Sequence, residues 1–173
     1  MTALLLTVLT LIGQVTGERL VRAADQPKNW LTYSGTYSGQ RYSTLTQIDR
    51  ANVKSLEMKW LLQNQVSGPW ESSPLVIDGI MYLTQRPNDV IALDARTGRI
   101  FWIYKYTGSP EFKACCGANN RGLAILGDTL FMGTLDAHLV ALDAKSGRVL
   151  WNVAVAEFTH GYSITLAPLA IKD

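Results

Sequence analysis

Val90 to Trp102 reads VIALDARTGRIFW, and Leu139 to Trp151 reads LVALDAKSGRVLW. The two stretches lie 49 residues apart, and seven of their thirteen positions are identical. The same register continues upstream without a gap, because Leu75 to Thr84 (LVIDGIMYLT) aligns with Ala124 to Gly133 (AILGDTLFMG). Pro168 to Asp173 (PLAIKD) resembles Pro74 to Gly79 (PLVIDG), so a third unit begins at the end of the chain. Self-similarity at such a period is the signature of repeat architectures.

Each unit reads as β. Val76, Ile77, Ile80, Tyr82 and Leu83 are β-branched, aromatic or otherwise strand-compatible, and Asp78-Gly79 between them is a hairpin turn signal. A second hairpin turns at Ala95-Arg96-Thr97-Gly98, where Gly98 takes a positive φ without steric cost, and Gly147 holds the same place in the second unit. A four-stranded unit of this length is a propeller blade. The expected fold is therefore an all-β β-propeller with two blade repeats, about 72–120 and 121–166, and a third starting at 167. A β-sandwich is the alternative, and it is disfavoured because sandwiches do not repeat in sequence. Asp94 and Asp143 are expected to accept hydrogen bonds from turn N–H groups. Trp102 and Trp151 are large enough to fill the gap between blades, and each buried indole N–H needs a partner. All four residues read as structural.

Composition narrows the function classes. The 173 residues are 47% hydrophobic and 17% charged, with five Trp, seven Tyr and four Phe, which excludes a disordered tail. A formal charge of +2 gives no case for nucleic acid or an anionic membrane. Ala3 to Ile12 (ALLLTVLTLI) is apolar but too short to span a bilayer. It has the length of an export-signal core, and Val21-Arg22-Ala23 offers small residues for cleavage before Ala24, so residues 1–23 are expected to be a signal peptide. No basic residue precedes the run, and a first helix is the competing reading. Export would place both cysteines in an oxidising compartment.

Several motifs now converge. The repeated Ala-Leu-Asp-Ala-x-x-Gly-x-x-x-Trp resembles the tryptophan-docking motif of quinoprotein dehydrogenases. Trp30 to Trp60 contains W-L-T-Y-S-G, then Q-R-Y-S-x-L-x-Q-I, then N-V-x-x-L-x-x-x-W, and resembles the opening of alcohol and methanol dehydrogenases dependent on pyrroloquinoline quinone (PQQ). Trp70-Glu71-Ser72-Ser73-Pro74 and Ala114-Cys115-Cys116-Gly117-Ala118-Asn119-Asn120-Arg121-Gly122 match as well. The resemblance covers nearly everything after the signal. It implies an eight-bladed ring, of which this chain would supply the first two blades, the start of a third and a segment that latches the ring.

The resemblance also implies roles. Cys115 and Cys116 are sequence neighbours, and a trans peptide sets their Cα atoms about 3.8 Å apart, below the usual disulfide range. The residues alone favour two unbridged buried thiols; in the family the vicinal pair forms a disulfide ring that packs on one face of the quinone. Arg121 has a guanidinium suited to clamping a carboxylate of PQQ, which carries three. By resemblance Glu71 hydrogen-bonds the cofactor, and Thr159 and Thr165 contact it through their hydroxyls. Leu166 departs from the small or polar residue expected before Ala167-Pro168. His160 has no acidic or histidine partner nearby in sequence and is not assigned a role.

The family's Ca²⁺ or lanthanide ligands and its catalytic Asp fall beyond Asp173, so no catalytic or metal-binding residue is assigned, and no Cys-x-x-Cys-His haem motif is present. The expectation is the N-terminal portion of a periplasmic PQQ-dependent alcohol dehydrogenase, oxidising an alcohol and passing electrons to a cytochrome c or a quinone. Such a portion is expected to be inactive and poorly stable alone. The alternative is a non-catalytic propeller scaffold of the outer-membrane assembly type, binding protein segments by β-augmentation. A scaffold has no reason to carry Glu71, Cys115-Cys116 and Arg121 together.

Overall fold

The computed structural model describes residues 14–172 apart from Gln65, Lys113, Cys115 and Cys116. Among the described residues, eight strands form two four-stranded antiparallel meanders. The first comprises β1 (Leu75–Ile77), β2 (Ile80–Gln85), β3 (Asp89–Asp94) and β4 (Ile100–Tyr104). The second comprises β5 (Ala124–Leu126), β6 (Thr129–Gly133), β7 (His138–Asp143) and β8 (Val149–Ala154). The 49-residue offset carries the start of each strand of the first sheet onto the start of its counterpart, Leu75 onto Ala124 and Ile100 onto Val149 among them. The β-propeller reading holds at the level of these two blades.

The turns form for the reasons their residues supply. Asp78 and Gly79 both adopt positive φ, 50° and 88°, and close a two-residue hairpin between Ile77 and Ile80. That is the primed turn whose twist matches its strands. In the second hairpin Asp94 accepts the N–H groups of Arg96 (2.8 Å) and Thr97 (3.0 Å). Asp143 accepts the Ser146 N–H (2.8 Å) and hydroxyl (2.6 Å) in the second blade. Each last strand carries a register shift opposite the docking motif, at Ala92/Leu93 and at Ala141/Leu142.

The blades join through tryptophan. The Trp102 indole donates to Ala144 O at 3.2 Å, and its ring lies against Gly147, where an added Cβ would sit 2.5 Å from Cε3. Trp60 repeats the arrangement one unit earlier, donating to Ala95 O at 3.1 Å and lying 2.6 Å from the Cβ position of Gly98. Gly98 and Gly147 are thus required twice, for a positive φ (72° and 71°) and for the close approach of an indole. Tyr82 is fully buried beside Trp102, with ring centroids 6.0 Å apart, and donates to the same Ala144 O at 3.1 Å. Burial pushes its phenol pKa up, with the nearby Asp128 carboxylate adding to the shift.

The core lies between the sheets. Leu75, Ile77, Tyr82, Val90, Ala92, Leu123, Ile125, Leu130, Met132, Val140 and Leu142 form one cluster. Each fully buried large side chain contributes about 1.5–3 kcal/mol. Residues N-terminal to Ala24 belong to this core. Val15 exchanges backbone hydrogen bonds with Gly127 (3.1 and 2.7 Å) and is fully buried. Helix α1 (Gly17–Val21) is capped by Thr16, whose hydroxyl accepts from the Arg19 N–H at 3.1 Å, and it buries Leu20. The apolar stretch Ala3–Ile12 lies outside the described residues. Trp30 then pairs antiparallel with Val76 (2.8 and 3.0 Å), adding the opening segment to the edge of β1.

No strand forms over 168–172. In the first blade the equivalent residues pair with Ile80–Tyr82. Ala170 instead packs on the core, and its carbonyl accepts from the Tyr37 hydroxyl at 2.6 Å. Among the described residues no helix is long and apolar enough to cross a membrane.

Candidate functional site

The segments leading into successive units run side by side. Ser73 N donates to Arg121 O at 3.0 Å, and Arg121 N donates to Thr165 O at 3.1 Å. A parallel bridge joins Ser73 to Gly122. Gly122 has a φ of 139° and little room for a side chain, since a Cβ would lie 3.0 Å from Ser73 O. Two residues far apart in sequence therefore meet at this seam by backbone pairing.

Glu71 and Arg121 are the result. Arg121 Nη2 lies 2.7 Å from Glu71 Oε2, and Asn119 Nδ2 donates to Glu71 Oε1 at 2.8 Å. Arg121 Nη1 also reaches Thr165 O at 3.5 Å. The pair is neither sealed nor fully solvated, with side-chain exposures of 33% for Arg121 and 38% for Glu71. An ion pair exposed to this degree adds little stability. Its position at the seam, partly open to solvent, is the informative feature.

The surroundings are cationic. Arg41 Cζ sits 4.5 Å from the centre of the Tyr33 ring. The Arg41 hydrogen bond holds the Tyr33 phenol below its usual pKa, against desolvation and with help from Ser73 and the Arg121 charge. Arg41 thus adds a positive charge near the seam, where the Arg121 charge is matched by Glu71.

Of the sequence-derived site residues, Glu71, Arg121 and Thr165 are brought together. Thr165 takes part through its backbone carbonyl. Thr159 sits in an exposed 3₁₀ turn (Phe158–His160), where its hydroxyl donates to Glu157 Oε1 at 2.9 Å. Cys115 and Cys116 lie outside the described residues. Asn119 was not singled out from sequence, although it sits within the cysteine-arginine motif; its partner is 48 residues away and only the seam reveals it. Among the described residues no group of three or more His, Cys, Asp or Glu could hold a metal ion.

The donor chemistry is compatible with a ligand that carries several carboxylates. Such a ligand needs a cation and neutral donors, and Arg121 and Asn119 lie together here; Glu71 would repel it uncompensated, and both residues now compensate Glu71.

Comparison with known proteins gives the same direction. The chain is 45% identical over 127 residues to the dehydrogenase subunit of a quinone alcohol dehydrogenase of Gluconacetobacter polyoxogenes, covering 72% of this chain and 17% of that protein. It is 38% identical to quinohemoprotein alcohol dehydrogenase ADH IIB of Pseudomonas putida, covering 97% of this chain and 25% of that protein. Among solved structures, a europium-containing methanol dehydrogenase superposes with a TM-score of 0.85 at 37% identity, over 90% of this chain and 28% of the other. The chain therefore spans about a quarter or less of the curated relatives named here. Residues 30–167 match the family model for the β-propeller domain of PQQ glucose, ethanol and alcohol dehydrogenases, and the chain belongs to that family.

Proposed function

We propose that this chain supplies one wall of the PQQ site of a quinoprotein alcohol dehydrogenase that oxidises an alcohol to an aldehyde. PQQ, when bound, supplies the hydride acceptor of that chemistry. The observation that carries the reading is the Glu71–Arg121–Asn119 cluster at the seam between two docked blades. Arg121 would bind and orient a quinone carboxylate, and Glu71, already held by the Asn119 amide, would accept a hydrogen bond from the cofactor. Thr159 and Thr165 would offer hydroxyls from the second unit's far end. The vicinal pair Cys115-Cys116 would form the disulfide that packs on one face of the ring. A Ca²⁺ or lanthanide ion, held by residues outside this chain, would polarise the quinone, and a cytochrome c or quinone would take the electrons. Export to the periplasm is supported by the apolar Ala3–Ile12 run.

The test is a titration of the full-length apoprotein with PQQ in the presence of Ca²⁺ or a lanthanide, followed by alcohol-dependent dye reduction. Wild-type protein is expected to bind and turn over, and Arg121→Ala to weaken PQQ by at least about tenfold, the cost of one charge-assisted contact of ~1.5–3 kcal/mol. Wild-type protein that takes up no PQQ would contradict the reading.

A further inference from the structure

The connection from β4 to β5, residues 105–123, carries Asn119 and Arg121, and it is held at both ends by buried polar side chains. At its far end Asn120 is buried; its amide donates to Gly133 O (2.7 Å) and Asn88 Oδ1 (3.2 Å), and its Oδ1 accepts the Gly122 N–H (3.1 Å). At its near end two carboxylates act. Asp89 accepts from Lys105 Nζ (2.7 Å) and the Tyr106 N–H (3.2 Å). Asp136, only 4% exposed, accepts from the Tyr106 hydroxyl (3.0 Å), the Ser109 N–H (2.9 Å) and the Thr134 hydroxyl (2.5 Å).

Asp136 has one partner in its own hairpin, the Thr134 hydroxyl, and two in the connection, Tyr106 and Ser109. Position 136 aligns with Pro87 one unit earlier, so a blade of this design folds without a carboxylate there. The contacts Asp136 makes to Tyr106 and Ser109 lie wholly in the connection. Gly108 is fitted to it: a Cβ would lie 2.3 Å from Asp136 Oδ2 and 2.2 Å from Tyr106 Cε1. A buried carboxylate costs free energy unless its lone pairs are filled, and here Thr134 and the connection fill them.

We propose that Asp136 is a positioning residue for the cofactor site, pinning the start of the 105–123 connection so that Asn119 and Arg121 reach Glu71. The assignment of that cluster to PQQ is the reading given above. Asp136 touches neither Glu71 nor Arg121 and would act through the connection, of which Lys113, Cys115 and Cys116 lie outside the described residues. Asparagine at this position keeps one oxygen and turns the other into an NH₂ donor group with two N–H hydrogens. The Tyr106 and Thr134 hydroxyls can reorient to accept from that donor, while Ser109 keeps its acceptor. Alanine removes every contact and leaves the Ser109 N–H without its acceptor.

The experiment uses full-length protein with Asp136→Ala, Asp136→Asn and, as a comparison, Asp143→Ala, which removes a turn acceptor of the same blade away from the connection. Amide exchange is measured without cofactor, and PQQ dissociation by titration of the apoprotein. Asp136→Ala is expected to speed exchange at Ser109 and at Asn119–Arg121 and to weaken PQQ by about tenfold, as loss of an outer-shell partner does. Asp136→Asn is expected to stay within about threefold of wild type, and Asp143→Ala within about twofold whatever its effect on melting temperature. If Asp136→Ala does not fold, Gly108→Ala, which displaces the connection and leaves the carboxylate in place, is expected to show the same two changes. Unchanged exchange at Asn119–Arg121, or equal weakening of PQQ by Asp143→Ala, would overturn the proposal. If wild-type protein takes up no PQQ, the cofactor reading fails, and the exchange measurement still decides whether Asp136 positions Asn119 and Arg121.

Discussion

Trp102 and Trp151 occupy the same position of the same repeat, yet they live in different surroundings. Trp102 is half-buried, hydrogen-bonded to Ala144 O and pressed on Gly147. Trp151 is 40% exposed on a strand, β8, whose six residues are all exposed. Both rings keep the contact within their own blade: Trp102 with Tyr82 at 6.0 Å, and Trp151 with Phe131, the aligned residue, at 5.9 Å. The docking motif is thus a device of two halves. One blade presents the indole, already braced by an aromatic neighbour, and the next presents the carbonyl and the bare glycine that receive it. A repeat unit carries both halves but never satisfies itself, which is why such units stack.

The largest effect expected from breaking this contrast is at Trp102. Trp102→Ala removes a packed indole, leaves Ala144 O with the Tyr82 hydroxyl as its remaining donor and opens a void over Gly147, at a cost of about 3–5 kcal/mol. Trp151→Ala in the same 173-residue chain is expected to cost under about 1 kcal/mol, as for a surface substitution. Denaturant unfolding of both variants checks this, and equal losses would mean that Trp151 is docked as Trp102 is. Next in size is Gly147→Ala, whose new methyl meets the Trp102 ring at 2.5 Å on a backbone with φ of 71°. A loss of about 1–3 kcal/mol is expected from overpacking, and in the Trp102→Ala background the steric part of it should vanish. A double-mutant cycle measures that coupling.

The smallest effect sharpens the comparison between the two turns. The Ser146 hydroxyl holds the Asp143 carboxyl below the usual range, against desolvation; a backbone hydrogen bond from Arg96 does the same for Asp94. With a folded pKa below the unfolded one, the unfolded chain binds protons first as pH falls. The stabilisation is therefore complete above about pH 4 and disappears as pH drops through the lowered folded values. Unfolding midpoints recorded from pH 6 to pH 3 should fall less steeply in Asp143→Ala than in wild type, and an unchanged slope would show that the turn does not depend on the charge.

Much of this was legible in the residues because each feature is local or repeated. The Asp78-Gly79 hairpin, the Asp94 and Asp143 turn acceptors and the Trp102 docking each follow from a short motif whose partners lie in the same motif or its copy. Glu71 and Arg121 were legible as candidates, but their meeting was not. It depends on the Ser73–Gly122 bridge, a pairing of two irregular segments that periodicity does not announce. The helix Gly17–Val21 was absorbed into the expected signal because the apolar run before it dominated. Its own burial of Leu20 needs the groove between blades to be seen. Asp136 was available as a break in the repeat, a buried acid where the first copy has Pro87.

The central claim is that two docked blades bring Glu71 and Arg121 together to receive a quinone. A structure of the full-length protein with PQQ bound tests it most directly. The expected result is a cofactor carboxylate oxygen within about 2.7–3.2 Å of the Arg121 guanidinium, with Glu71 within hydrogen-bond distance of the same molecule. A quinone seated elsewhere, with the Glu71–Arg121 pair intact and untouched, would contradict it.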